Sequence, residues 1–277
     1  MILISTANGK VGNEIVKQLL AKGEIVRVGA HNVEKAQANF PGVHVVHFDY
    51  SDSASIKAAL EGVDTVYLAS PGDFPADPEK NVVDLAKAAG VKRVVKLSAM
   101  GVEASDDIPL RQVEKYIEAS ELEYTILRPT WFMQNYSTGM AQGIKTGSLY
   151  EPAEQAKTGF IDARDIASVA VKALTETGHN GQAYALTGPE SLDRNAVAAK
   201  LSSALGKTVQ YVPINDEQFR GAMQNVLSPA YLELMSSLYA GVRAGWTDAT
   251  TDTVKKVLGR DPISFDQFAQ DHKDTWL

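Results

Sequence analysis

The sequence predicts an α/β fold in which a parallel sheet carries helices on both faces. Three observations predict it. A short apolar strand, Ile2–Ser5, runs into the glycine-containing turn Thr6-Ala7-Asn8-Gly9-Lys10-Val11-Gly12, and an amphipathic run follows at once. Apolar strands then alternate with helix-length segments through residue 130, the pattern of strands buried between two helical layers. No internal repeat, low-complexity tract or long linker interrupts the alternation.

The first helix, Val11–Lys22, sets Val11, Ile15, Val16, Leu19 and Leu20 on one face at helical spacing, and Gly23 ends it. Strand two is Ile25–Val28, and a short helix covers Val33–Asn39. Strand three, Val43–Phe48, carries His44 and His47 three apart, which turns them to opposite faces. Ser53–Leu60 reads as a helix with Ser53 as its N-cap. Strand four is Thr65–Ala69, helix four Asn81–Ala89, strand five Arg93–Leu97, helix five Arg111–Ser120 and strand six Tyr124–Arg128. Beyond it, Phe160-Ile161-Asp162 reads as a short strand feeding a helix, with Asp165 in the first turn, where a carboxylate offsets the helix dipole. Tyr184–Thr187 returns a strand to the sheet. From Ser191 onward the chain reads as helical, with one strand at Val209–Pro213 and a last helix from Ser264. The expected architecture is thus a Rossmann-type doubly wound sheet over residues 1–188, with substrate-lobe insertions around 131–158, and a smaller, mostly helical C-terminal lobe over 189–277.

Composition bounds the function. The chain has 277 residues, of which 44% are hydrophobic, enough for a sizeable core. It has no cysteine, which excludes disulfides, thiol catalysis and thiolate metal sites. Its five histidines are scattered, so no metal site is expected. With 27 basic and 34 acidic residues the net charge is −7, which disfavours nucleic acid as a partner. No apolar run reaches the roughly 18 residues of a membrane span. The N-terminus enters a strand with no basic-then-apolar leader, so a cytoplasmic protein is expected.

In an open parallel sheet, ligands bind beyond the carboxyl ends of the strands, so the strand-end residues are the site candidates. The turn after strand one points backbone N–H groups and the positive end of a helix dipole at one spot, as the pyrophosphate of a dinucleotide requires. Thr6, Asn8, Gly9, Lys10 and Val11 are its candidates; Gly9 lets the backbone approach the phosphates and Gly12 lets the helix pack on the strand. Thr6 stands where the first glycine of the usual pattern would be. Strand two ends at Ala30-His31-Asn32, and no carboxylate follows until Glu34. An NAD site usually places Asp or Glu here, whereas His31, Asn32 and Lys35 suit a 2′-phosphate. NADP(H) is therefore the favoured cofactor, with NAD(H) second. Asp49 and Tyr50 end strand three and suit the adenine, although Asp49 serves equally as an acidic cap for the segment after it. Ala69, Ser70 and Pro71 form a small-residue turn after strand four. Ser98, just past strand five, is the catalytic candidate, as a hydroxyl able to bind a substrate oxygen. The segment after it offers Arg111, Glu114, Lys115 and Tyr116 but no Tyr-x-x-x-Lys pair, so little side-chain acid–base chemistry is expected. Met100, Phe132, Asn135 and Tyr136 are the candidate walls for a flat aromatic substrate.

Four segments carry a resemblance: Ile4–Gly12; Ala86-Lys87-Ala88-Ala89-Gly90-Val91-Lys92; Tyr124-Thr125-Ile126-Leu127-Arg128-Pro129-Thr130-Trp131-Phe132-Met133-Gln134-Asn135; and Phe160-Ile161-Asp162-Ala163-Arg164-Asp165-Ile166-Ala167. In these the chain resembles the NmrA-like branch of the atypical short-chain dehydrogenase/reductase family, and within it the bacterial quinone and triphenylmethane-dye reductases. The resemblance implies an NAD(P)H-dependent oxidoreductase that passes hydride to a quinone, dye or similar conjugated acceptor, as a monomer or homodimer. The alternative it leaves is a non-catalytic NADP(H) redox sensor that reports to a protein partner. Relatives that use NADPH often carry Arg where His31 stands. Met223, Tyr231, Met235 and Tyr239 read either as a flexible apolar lid or as core.

Overall fold

The computed structural model describes residues 1–70 and 74–277. They divide into two compact units, Met1–Pro129 with Ala163–Ala185, and Thr130–Asp162 with Leu186–Leu277.

The first unit begins with β1 (Ile2–Ile4), α1 (Lys10–Ala21), β2 (Val26–Ala30), α2 (Val33–Asn39), β3 (His44–His47), α3 (Ser53–Leu60), β4 (Thr65–Leu68), α4 (Ala76–Ala88), β5 (Arg93–Leu97), α5 (Pro109–Glu118) and β6 (Glu123–Pro129). The second unit then opens with α6 (Gln134–Ser137), α7 (Ala141–Lys145) and β7 (Ser148–Glu151). The chain returns to the first unit through α8 (Ala163–Thr175) and β8 (Gln182–Leu186). The remainder is α9 (Arg194–Leu205), β9 (Gln210–Pro213), α10 (Asp216–Met223), α11 (Pro229–Arg243), α12 (Thr253–Leu258) and α13 (Phe265–Asp271).

The main sheet has seven strands in the order β3-β2-β1-β4-β5-β6-β8, and β3 through β6 pair in parallel. The strand order reverses between β1 and β4, the switch point at which a doubly wound sheet opens a crevice at its carboxyl edge. Helix α1 buries Val11, Ile15, Val16 and Leu19 and packs beside α8, where the Gln18 side chain bonds the Arg164 carbonyl and the Ser168 hydroxyl. On the other face α3, α4 and α5 share one core, in which Leu3, Val66 and Val94 from the strands meet Ile56, Val82 and Ile117 from the helices.

Helix starts and caps differ from the sequence reading, and α5 begins at Pro109 rather than Arg111. Helix α4 begins at Ala76 rather than Asn81, because Pro78 lies in the first turn, where its missing N–H breaks no helical bond. Helix α3 is capped by Asp52, whose side chain accepts from Ala54 N–H, rather than by Ser53. The strand expected at Phe160–Asp162 is a single bridge, Phe132 with Ile161.

In the second unit, β7 and β9 form a separate two-stranded parallel sheet, and β7 was not legible in the sequence. The core there is aromatic. Tyr136, Phe160 and Phe265 meet edge to face, and Phe268 and Trp276 extend the cluster. Trp276 is fully buried and donates its indole N–H to the Tyr136 carbonyl at 2.9 Å.

Candidate active site

The carboxyl edge of β1 turns through residues 5–9 into α1, with Gly9 at the N-cap. No side chain caps this helix and no acidic residue occupies its first turn. The amides at the positive end of the dipole are therefore presented with no acidic side chain from the helix's own first turn, a condition that suits phosphate. Gly12 is what allows the turn to close. A Cβ there would stand 2.2 Å from the Thr6 carbonyl oxygen and 2.8 Å from its carbon, whereas one on Gly9 would stand 3.2 Å from the same oxygen. Thr6 is half-buried, Asn8, Gly9 and Lys10 are exposed, and Val11 is in the core, so only its backbone faces the turn. Asn8 is held by Asn39, the last residue of α2, whose side-chain amide donates to it at 2.8 Å.

The ends of β1, β3 and β4 are tied together around one hydroxyl. Ser5 Oγ accepts the Ala69 N–H at 3.2 Å and lies in hydrogen-bond contact with the Tyr50 oxygen at 3.3 Å, while the Tyr50 hydroxyl donates to the Ala69 carbonyl. Burial, reinforced by Glu79, pushes the Tyr50 phenol far above its usual range, so it stays protonated. Tyr50 is thus a brace whose ring packs on Phe48 and Phe74. Ala69 is buried and Ser70 half-buried. Pro71 lies outside the described residues.

At the end of β2, Asn32 accepts from the Lys35 N–H at 2.8 Å and so caps α2. His31 Nε2 sits 3.4 Å from Asp49 Oδ2. The other Asp49 oxygen accepts from the Ser51 N–H and hydroxyl, bonds that, ahead of the neighbouring histidines, hold the carboxyl below its usual range. Asp49 therefore caps its own turn while Asp52 caps the helix. His31, Asn32, Val33, Glu34 and His47 line a shallow, open depression here.

Past β5, Ser98 is buried, with its N–H on the Leu127 carbonyl at 2.7 Å, and Met100 N–H bonds the Pro129 carbonyl. Gly101, at φ +90, turns the chain away. Behind Ser98 stands a carboxylate that sequence reading noted without a role. Glu114 is fully buried and takes a bidentate grip from Arg128 at 3.0 and 2.7 Å and a further bond from Arg111 at 2.8 Å. Burial pushes its carboxyl up, but the hydrogen bonds from Arg128 and Arg111 outweigh this and leave it below the usual range, while the buried Ser98 hydroxyl makes no hydrogen bond of its own among the described residues. The signal available in the sequence was Arg128, a cation at the end of an apolar strand. Lys115 and Tyr116 are engaged elsewhere, with Asp106 at 2.6 Å and Asp84 at 2.7 Å.

Of the four candidate substrate residues, Met100 belongs to the first unit and Phe132, Asn135 and Tyr136 to the second. Phe132 and Asn135 are half-buried. Tyr136 is 1% exposed, with its ring inside the aromatic core of the second unit and not on an accessible wall. Tyr239 is likewise core, packed against Trp131 and Phe219, in keeping with the core alternative of its sequence reading. Among the described residues no group of three or more His, Asp or Glu side chains could hold a metal ion, and no helix is long and apolar enough to cross a membrane.

A family model described as NAD(P)H-binding matches residues 6–177. An NAD(P)H azoreductase from Xenophilus azovorans is 36% identical over 98% of both chains. The NADPH-dependent quinone oxidoreductase of Escherichia coli, solved in complex with NADPH, superposes with a TM-score of 0.85 at 27% identity over 98% of this chain and 99% of that one. The Citrobacter triphenylmethane reductase solved with NADP(H) shares the fold, with a TM-score of 0.84 at 24% identity over 98% and 99% of the two chains.

Proposed function

The chain belongs to the NAD(P)H-binding family, and we propose that it is an NAD(P)H-dependent oxidoreductase of quinone, azo or other conjugated aromatic acceptors. The observation that carries the reading is the turn into α1, uncapped, free of acidic side chains and closed to any side chain at Gly12. Thr6, Asn8, Gly9, Lys10 and Val11 hold the pyrophosphate with their backbone. His31, Asn32 and Lys35 face the 2′-position of the adenosine ribose, with NADPH preferred over NADH. Asp49, Tyr50, Ala69 and Ser70 line the cofactor's course along the strand ends.

The dinucleotide, when bound, supplies the hydride. The protein's own work is to position. The Ser98 hydroxyl, beside a carboxylate fixed by two arginines, orients a substrate oxygen. In the first unit Met100, and in the second Phe132 and Asn135, are the side chains offered to a flat acceptor. No Tyr-x-x-x-Lys pair follows Ser98, so alignment of donor and acceptor supplies most of the rate.

The test is a fluorescence titration with NADPH and NADH, then a panel of quinones, azo dyes and triphenylmethane dyes monitored at the reduced-nicotinamide absorbance. Acceptor-dependent oxidation is the expected result. Tight binding with no turnover across the panel refutes the enzyme reading and leaves a redox sensor.

A further inference from the structure

The ends of β2 and β3 bring two imidazoles and two carboxylates to the place where a dinucleotide fold distinguishes NADPH from NADH. His31 and His47 are both exposed, and their rings meet edge to face with centroids 5.7 Å apart. Asp49 lies 3.4 Å from His31 Nε2 and is fixed from behind by Ser51. Glu34, in the first turn of α2, lines the same depression as the two histidines, and no arginine does. Lys35 follows on α2 as the nearest fixed cation in sequence.

Resting on the NAD(P)H reading above, we infer that His31 and His47 act together as the determinant of NADPH against NADH, and that the preference follows their proton occupancy. The charges carry the argument. Two protonated imidazoles offset the carboxylates of Glu34 and Asp49, whereas two neutral ones leave both negative charges facing the ribose. The balanced cluster donates hydrogen bonds to a 2′-phosphate. The anionic cluster repels that phosphate and offers carboxylate oxygens to a 2′-hydroxyl. Imidazole is the side chain that changes charge between about pH 5 and 8. The phosphate's own second ionisation, near about pH 6, works the other way, because it adds negative charge as pH rises. A site built on Lys35 alone would therefore prefer NADP(H) more strongly in alkali, and the histidine site prefers it more strongly in acid. The sign of the pH dependence separates the two.

The experiment is calorimetric titration of the full chain with NADP⁺ and NAD⁺, both stable in acid, at about pH 6 and about pH 8.5, which bracket imidazole ionisation. The ratio Kd(NAD⁺)/Kd(NADP⁺) is expected to fall about tenfold from the acid to the alkaline condition, close to the scale of a unit-charge contact at about 4 Å in bulk water, as suits exposed side chains. In the double variant His31→Gln, His47→Gln the fall disappears, and in Asp49→Asn the alkaline ratio rises towards the acid one. A ratio that stays flat or rises with pH in the unaltered protein overturns the inference, as does a fall that survives in the double variant. If neither dinucleotide binds at either pH, the NAD(P)H reading itself fails. If both bind with a pH-independent ratio, only the present inference does.

Discussion

Replacing Gly12 by alanine tests whether the turn into α1 is shaped by contact rather than by sequence habit. The added Cβ would sit 2.2 Å from the Thr6 carbonyl oxygen, where real Cβ atoms essentially never come within 3.0 Å, so the shortfall is 3.0 − 2.2, or 0.8 Å. The obstructing atoms are backbone, as is the next one, Ala7 Cα at 3.0 Å. No rotamer change can relieve them. The start of α1 must move away from β1 by most of that shortfall, and it carries buried Val11, Ile15 and Val16 with it. Overpacking of this kind costs about 1–3 kcal/mol. The same displacement moves the amides that face the pyrophosphate, and misplacements near 1 Å cost up to about 100-fold in function. Gly9→Ala is the control. Its Cβ meets the same oxygen at 3.2 Å and its φ of −77° is open to any residue. Urea unfolding and NADPH titration of both variants give the answer. Gly12→Ala should lose stability within the stated range and bind NADPH at least about tenfold more weakly, with the stability of Gly9→Ala much closer to the parent. Equal loss of stability in the two variants, or an undisturbed Gly12→Ala, would refute the reasoning.

Three further expectations follow from buried groups. Glu114→Gln breaks the bidentate grip of Arg128 and should cost about 2–3 kcal/mol at neutral pH; because the native carboxyl is held below its usual range, that contribution is full above an unfolded-state pKa of about 4.3 and is lost as pH falls through the lower folded value, so unfolding midpoints of parent and variant should converge in acid. Lys96 and Glu79 form an ion pair with both side chains essentially unexposed and two bonds of 2.8 Å; Lys96→Met alone should lose about 3–5 kcal/mol, and Lys96→Met with Glu79→Leu should regain most of it in a double-mutant cycle. Trp276→Ala empties the aromatic core of the second unit and frees the Tyr136 carbonyl, with an expected loss of about 3–5 kcal/mol by chemical denaturation.

Much of the first unit was legible because its order rests on local signals. Helix α1 shows an apolar stripe ended by glycine, buried at Val11, Ile15, Val16 and Leu19 though not at the exposed Leu20, and each parallel strand is a short apolar run. The errors there concern helix starts: Asp52 outcompetes Ser53 as a cap, and α4 begins at Ala76 rather than Asn81, with Pro78 harmless in its first turn. The second unit was read less well because its order is non-local. Strand β7 has four residues, Ser148–Glu151, and gains its identity only from β9, some sixty residues later. Tyr136 follows a strand end like a pocket residue, but Phe160 and Phe265, distant in sequence, enclose it. The role of Glu114 was hidden for the same reason, since a helix-surface glutamate becomes a buried anchor only when Arg128 arrives from β6.

The pairing of α1 with α8 has a consequence for how the chain is made. Gln18 meets Ser168 across 150 residues, so α1 leaves the ribosome long before the helix that covers it. At about 5–20 residues per second, the apolar flank of α1 waits about 8–30 s for its partner. During that interval the nascent sheet is half-clothed, and the whole opening segment of the second unit, 130–162, is synthesised before the missing layer arrives. Helix α8 is in this sense a late-arriving closure, and truncated or stalled chains that end before residue 163 would expose one side of the sheet to chaperones and to one another.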